Sequence, residues 1–365
     1  MLLLEIQRYI YNHINIDMHK INLLLLACSI CYKKDKDFIK DYNNENNYNI
    51  SEKIINLINS LNDEILTNEF NFINTIEINN NILYNIFNML SENLINYDNI
   101  IYDLYKDYHD VGMGIIFIPN DIINIMIKEL NIKENDNILN IYSVSGNELK
   151  ECYKYNKNKN NLYGLSNNKF KYLLSKINLI LNDIDNNNNL KYNNYVYEEY
   201  NINEFDKILL FPPYGVNSKT QKLYNCLNEQ NYILYSIDLL KKGGICSCIV
   251  PKSNFNDGIG KNKFKRMLLK KCKILKIYNC NDKIFLPFAC VECAIIIFQK
   301  IYDTLDNIEE AKENNNKINN DKVEIIDYSD DGYITKRLLR IYDHNPIIKT
   351  QLKNLKYNNN WNYEE

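Results

Sequence analysis

The sequence predicts an α/β fold behind a helical N-terminal domain, on three observations. Residues 1 to 108 carry apolar side chains at helical spacing, as in Ile54, Ile55, Leu57, Ile58, Leu61 and again Ile82, Leu83, Ile86, Phe87, Leu90, with Asn-rich breaks between. From 109 to 300 the pattern changes to short apolar runs separated by helical segments, the signature of a parallel or mostly parallel sheet. A charged, Asn-rich linker from 301 then opens a C-terminal extension that runs to 365.

Each strand candidate is a short run rich in branched or aliphatic residues between turn or helix signals. In order they are Ile138 to Tyr142, Leu162 to Leu165, Lys207 to Phe211, Ile245 to Val250, Ile274 to Tyr278 and Ala294 to Phe298. Beyond the linker, a last strand from Val323 to Tyr328 precedes a turn at Asp330-Asp331-Gly332 and a polar tail.

Composition narrows the function. With 45% hydrophobic and 24% charged residues over 365 positions, the chain can bury a sizeable core. Only 10 Gly and 6 Pro, beside abundant Asn, Ile, Lys and 30 Tyr, point to a coding sequence biased toward A and T, so Asn runs such as 186–189 and 314–316 read as loop filler. The net charge of -3 provides no global basic field for nucleic acid. Any DNA contact would come from local patches such as Lys261, Lys263, Lys265, Arg266, Lys270 and Lys271, which also fit the solvated face of a helix whose buried stripe is Phe264, Met267 and Leu268.

The apolar stretch from Ile21 to Cys31 falls short of the roughly 18 residues of a spanning helix. The first residues show neither a basic region nor a cleavage site, so a soluble, intracellular protein without membrane contact is expected. Ten cysteines then imply reduced thiols. Cys28/Cys31 and Cys290/Cys293 have metal-like spacing, but their apolar surroundings favour buried structural cysteines, and no metal site is assigned.

One stretch points to chemistry. Ile208, Leu209, Leu210 and Phe211 form a short buried run ended by Pro212 and Pro213, neither of which can donate to a ladder, and Tyr214 and Gly215 follow. Loops just past a strand's carboxyl end are where open α/β sheets bind ligands. An aromatic there can stack on a base, and it can equally be a packed tyrosine after a proline turn.

Phe211-Pro212-Pro213-Tyr214 resembles the Asp/Asn-Pro-Pro-Tyr/Phe loop of amino-methylating DNA methyltransferases, with Phe211 where the family has its polar residue. Further segments are similar, in order, to the adenine-N6 DNA methyltransferase (modification) subunit of type I restriction-modification systems, HsdM. They are Gly114 to Pro119, then Asn137 to Gly146 where the family has its Asp-Pro-x-x-Gly-x-Gly cofactor loop, and Leu162 to Ser166 at the second strand. Leu239 to Ile245, with its Lys-Lys-Gly-Gly turn, and Phe285 to Ala289 continue the order, so the resemblance spans about residues 110 to 335.

The resemblance implies a Rossmann-like S-adenosylmethionine-dependent methyltransferase sheet. It implies S-adenosylmethionine at Ile118, Pro119, Asn140, Tyr142, Ser143, Gly146 and Ser166, and a flipped adenine at Phe211, Pro212, Pro213 and Tyr214. It also implies DNA as a partner, with a specificity or restriction subunit beside it. Asn194 lies near where the family often has an acid close to the adenine, and reads equally as loop filler.

Against that pattern, Asn140 replaces the opening acid, Val144 replaces a loop glycine, Ser166 replaces the ribose carboxylate, Ile118 replaces a threonine and Phe211 replaces the amine acceptor. Each lost hydrogen bond leaves a ligand group unpaired at roughly 1 to 3 kcal/mol. Together they imply a protein that keeps the fold but binds cofactor poorly and methylates slowly or not at all. Two readings follow: an enzyme that improvises these contacts, or a pseudoenzyme that serves as a DNA- or protein-binding module.

Overall fold

A computed structural model describes residues 2–42, 49–92, 96–106, 116–185, 189–193, 199–214, 228–255, 259–301, 322–337 and 339–354. Gly114, Ile115, Asn194, Gly215, 186–188, 314–316 and nearly all of the 301–322 linker lie outside these residues. The side chains of Lys261, Lys263 and Arg266 do too.

Six α-helices come first: α1 (Leu2–His13), α2 (Met18–Lys34), α3 (Ile50–Ser60), α4 (Glu64–Phe70), α5 (Asn80–Glu92) and α6 (Ile100–Tyr105). Then α7 (Asn120–Leu130), β1 (Ile138–Ile141), α8 (Asn147–Asn156), β2 (Leu162–Ser166), α9 (Lys169–Leu181), β3 (Leu190–Tyr192) and β4 (Phe205–Leu210) alternate. The chain continues through α10 (Asn228–Leu239), β5 (Leu240–Pro251), α11 (Ile259–Lys271), β6 (Cys272–Cys280) and β7 (Cys293–Lys300). It closes with β8 (Lys322–Asp330), β9 (Tyr333–Lys336), β10 (Leu339–Tyr342) and β11 (Ile347–Asn354).

Two compact units result. The first holds Met1–Gly114, Ser145–Asn147 and Lys169–Asn188; the second holds Ile115–Val144, Glu148–Asn168 and Asn189–Glu365.

In the first unit, Asp17 caps α2 by accepting from the Lys20 amide, and every residue from Ile21 to Cys31 is buried. A helix apolar all round has to be a core helix, which is why its amphipathic neighbours α3 and α5 present apolar stripes. Within this unit α9 carries Lys176, 1% exposed, 2.9 Å from Asp185 and 3.8 Å from Asp63, while the Tyr172 hydroxyl donates to Asp63 at 2.5 Å. Burying an ammonium without such partners would carry a large desolvation cost. No single described helix is long and apolar enough to cross a membrane.

The second unit is built on a nine-stranded sheet of order β11-β8-β6-β7-β5-β4-β1-β2-β3. The pairs from β3 through β5 are parallel, β7 runs antiparallel to both β5 and β6, β8 is parallel to β6, and β11 closes antiparallel on β8. Leu139 and Ile141 of β1, Ile208 and Leu210 of β4 and Cys246, Cys248 and Val250 of β5 share one core with Tyr232 and Ile237 of α10 and Phe264 and Leu268 of α11. Parallel strands covered by helices are buried on both faces, which explains why they read as continuous apolar runs.

Three expectations need correction. The polar tail contributes the hairpin β9–β10 and the edge strand β11, because β8 leaves an edge for β11 to pair with. Lys265 is 4% exposed and Lys271 is ion-paired to Asp238, so the basic run on α11 is not a uniformly solvated stripe. Cys28, Cys31 and Cys293 are buried, but Cys290 is exposed on the turn before β7, where its thiol donates to Asp282.

Candidate active site

β1 pairs with β2 on one side and β4 on the other, and the chain proceeds outward in both directions from there. That reversal is a topological switch point, the place where open α/β sheets bind ligands beyond their carboxyl ends. Asn140, Tyr142 and Ser143 at the end of β1, Ser166 at the end of β2 and the 211–214 loop after β4 therefore share the rim of one unit.

At β1, Asn140 is 2% exposed and its Nδ2 donates to Glu148 Oε2 at 3.2 Å. Burial pushes the Glu148 carboxyl up to about 6, against which its own backbone amide and Asn140 act. An acid at 140 would face Glu148 as a second buried carboxylate; the amide avoids that repulsion. Tyr142 ends the strand because its φ of 70° leaves the β region, and its ring meets Tyr232 edge-on at 5.9 Å. Burial raises the Tyr142 phenol, and a hydrogen bond with Asn167 opposes this. Ser143 is fully buried, its amide donating to the Leu165 carbonyl at 2.9 Å, and Val144 is buried beside it. The Ser166 hydroxyl donates to the Asn168 carbonyl at 3.1 Å.

The loop's next residues belong to the helical unit. The Ser145 carbonyl accepts from Asn178 at 2.8 Å. Gly146 has φ 70°, and a Cβ there would lie 2.9 Å from the Ser175 carbonyl oxygen. Close approach to α9 accounts for this glycine without a ligand.

After β4, Phe211 is 7% exposed, stacks on Phe285 at 5.4 Å and 27°, and meets Tyr214 edge-on at 5.4 Å and 86°. Tyr214 also meets Phe285 edge-on at 6.2 Å. Its hydroxyl donates to the Ile249 carbonyl at 3.1 Å and accepts from the Cys293 thiol at 3.7 Å. Burial, then Cys293, holds the phenol well above the ordinary tyrosine range. Pro212 is buried and Pro213 half-buried. The ring of Tyr214 thus packs against Phe211 and Phe285 and its hydroxyl is bonded within the protein, while Phe211 offers no acceptor.

Ile118 is 7% exposed and Pro119 precedes α7, its carbonyl accepting from Ile123. Their neighbour Phe117 packs edge-on to Phe288 at 5.6 Å. Sequence reasoning missed Glu148 and Phe285 as members of the rim. Glu148 stands in the first turn after the loop, where an acid suits a helix N-terminus, and that position was the available signal. Phe285 opens a segment that follows the family order, but nothing in the sequence sets its ring beside the loop after β4.

A family model described as N-6 DNA Methylase matches residues 97–361. No curated protein matches the chain by sequence. Among solved structures the chain is similar to a protein described as a modification subunit of a type I restriction enzyme from Vibrio vulnificus YJ016, with TM-score 0.63 and 12% identity over 89% of this chain and 83% of that one. It is similar to the methyltransferase subunit of the type I restriction-modification system from Streptococcus thermophilus, with TM-score 0.62 and 14% identity over 93% and 89%. Against the M protein of the type I restriction enzyme EcoKI the TM-score is 0.50 at 15% identity, over 92% and 72%. At such identities the likeness is one of fold.

Proposed function

The chain belongs to the N-6 DNA methylase family, and on that premise we propose that it is a type I modification-subunit homologue that has kept the methyltransferase sheet and given up most or all methyl transfer. Its role is then that of a DNA- or protein-binding module beside an active modification or specificity subunit.

The observation that carries this reading is the cluster of Phe211, Tyr214 and Phe285 at the end of β4. A target amine needs an acceptor where Phe211 stands, and a flipped base needs the ring that Tyr214 gives to its neighbours. The family's cofactor, S-adenosylmethionine, does not fit the residues present. Asn140 donates to Glu148, the Ser166 hydroxyl donates to Asn168, and Gly146 is explained by contact within its own unit. No residue singled out at the ends of β1 and β2 offers an exposed carboxylate for a ribose.

The test is transfer of a labelled methyl group from S-adenosylmethionine to adenine-containing duplex DNA by the purified chain. Incorporation at background supports the reading; catalytic turnover on adenine N6 overturns it.

A further inference from the structure

We propose that β11 and the hairpin before it form a docking surface for a strand of another protein in which apolar and acidic residues alternate, added to the sheet along β11. This surface is independent of whether methyl transfer survives.

β11 ends the sheet order, and among the described residues its outer edge pairs with nothing. An edge of unpaired amides and carbonyls is a template for another strand. Of the thirteen large hydrophobic side chains exposed among the described residues, seven fall between Ile334 and Leu352. Leu352 is 65% exposed and Ile348 53%, whereas the neighbouring strand β8 buries Val323, Ile325, Ile326 and Tyr328. Such a concentration marks an interaction site more often than a bare surface.

Charge selects the occupant. Residues 333–354 contain five Lys or Arg and a single acid, Asp343, in a chain whose net charge is -3. The nearby acids are engaged: Asp331 and Asp121 by Arg340, Asp330 and Asp343 by His344, and Asp327 by the Ser329 amide and, across the ladder, Lys349. Strand alternation puts Thr350 and Leu352 on one face and Lys349 and Gln351 on the other. A partner strand with valine-like residues on one face and glutamate on the other matches both. A second copy of β11 would bring lysines to lysines, which disfavours self-pairing.

The surface is also held in place. Arg340 makes a bidentate contact with Asp121 at 2.9 and 2.6 Å, reaches Asp331 at 2.9 Å, and lies 3.7 Å over the Tyr333 ring. That clamp fixes the β9–β10 hairpin on α7 and the end of β8, so little ordering cost remains on binding.

The test uses the full chain and two capped peptides of the length of β11, eight residues, one alternating valine with glutamate and one alternating valine with lysine. Fluorescence anisotropy should show the acidic peptide binding at least about tenfold more tightly, and Leu352→Asp should weaken it about tenfold. Lys349→Gln, which keeps the strand's shape, should narrow the preference. Hydrogen exchange should find the outward-facing β11 amides, those that do not bond to β8, fast in the isolated chain and slowed by the acidic peptide. Equal binding of the two peptides, or no effect of either substitution, overturns the proposal. So do outward-facing β11 amides already protected in the isolated chain, or a concentration-dependent dimer that Leu352→Asp dissolves, because either shows another occupant of the edge.

Discussion

The rim at the ends of β1, β2 and β4 and the edge along β11 treat their side chains in opposite ways. On the rim, the amide of Asn140, the hydroxyl of Ser166 and the ring and hydroxyl of Tyr214 all find partners inside the protein. Along the edge, Leu352, Ile347 and Ile348 stay more than half exposed. A pocket that satisfies its own polar groups has little left for a ligand, because displacing those partners costs about what the ligand would gain. If both proposals hold, recognition lies along the sheet's border and not at the strand ends.

The substitution expected to act most strongly is Phe211→Asp, which restores the family's residue type at the price of a carboxylate between the rings of Tyr214 and Phe285. It should lower unfolding free energy by about 4 kcal/mol, read by denaturant titration, without raising methyl transfer. A stable, methylating variant would break the contrast, since the rim would then be one residue from activity. Next, Gly146→Ala meets both the positive φ and the Ser175 carbonyl at 2.9 Å. A loss of about 3 kcal/mol is expected; a neutral result would leave the glycine to be explained by something outside its own unit.

Glu148→Gln should act the other way. Its folded pKa of about 6 lies above the ordinary 4.5, so the folded state holds the proton longer and stability falls as pH rises between those values. The variant should gain about 2 kcal/mol above pH 6 and nothing below pH 4.5; thermal melts across that range check the sign. The smallest effect belongs to the edge, where Leu352→Asp should shift stability by no more than about 0.5 kcal/mol while weakening acidic-peptide binding about tenfold.

The strands β1, β2, β4, β5 and β7 were legible as short apolar runs because they are largely buried, and β6 and β8 were legible from their clusters of buried branched residues. The exception, β3, has three residues, Leu190–Tyr192, too few for a period to show. β9 to β11 were not legible, since their residues face water and mix Lys, Thr and Gln with Ile and Leu. At the rim, the identities of Asn140, Ser166 and Phe211 could be read as departures from a pattern. Where their side chains turn depends on Glu148, Asn168 and Phe285, and only the fold sets the last of these beside β4. Tyr214 shows the limit most clearly. Its place in the motif suited a stacking platform, yet its hydroxyl goes to the carbonyl of Ile249, on the next strand of the sheet.

Isothermal calorimetry of the purified chain with S-adenosylmethionine tests the closed rim most directly. No saturable heat, or a Kd weaker than about 1 mM, is expected; binding at micromolar Kd would contradict a rim whose polar groups are already satisfied.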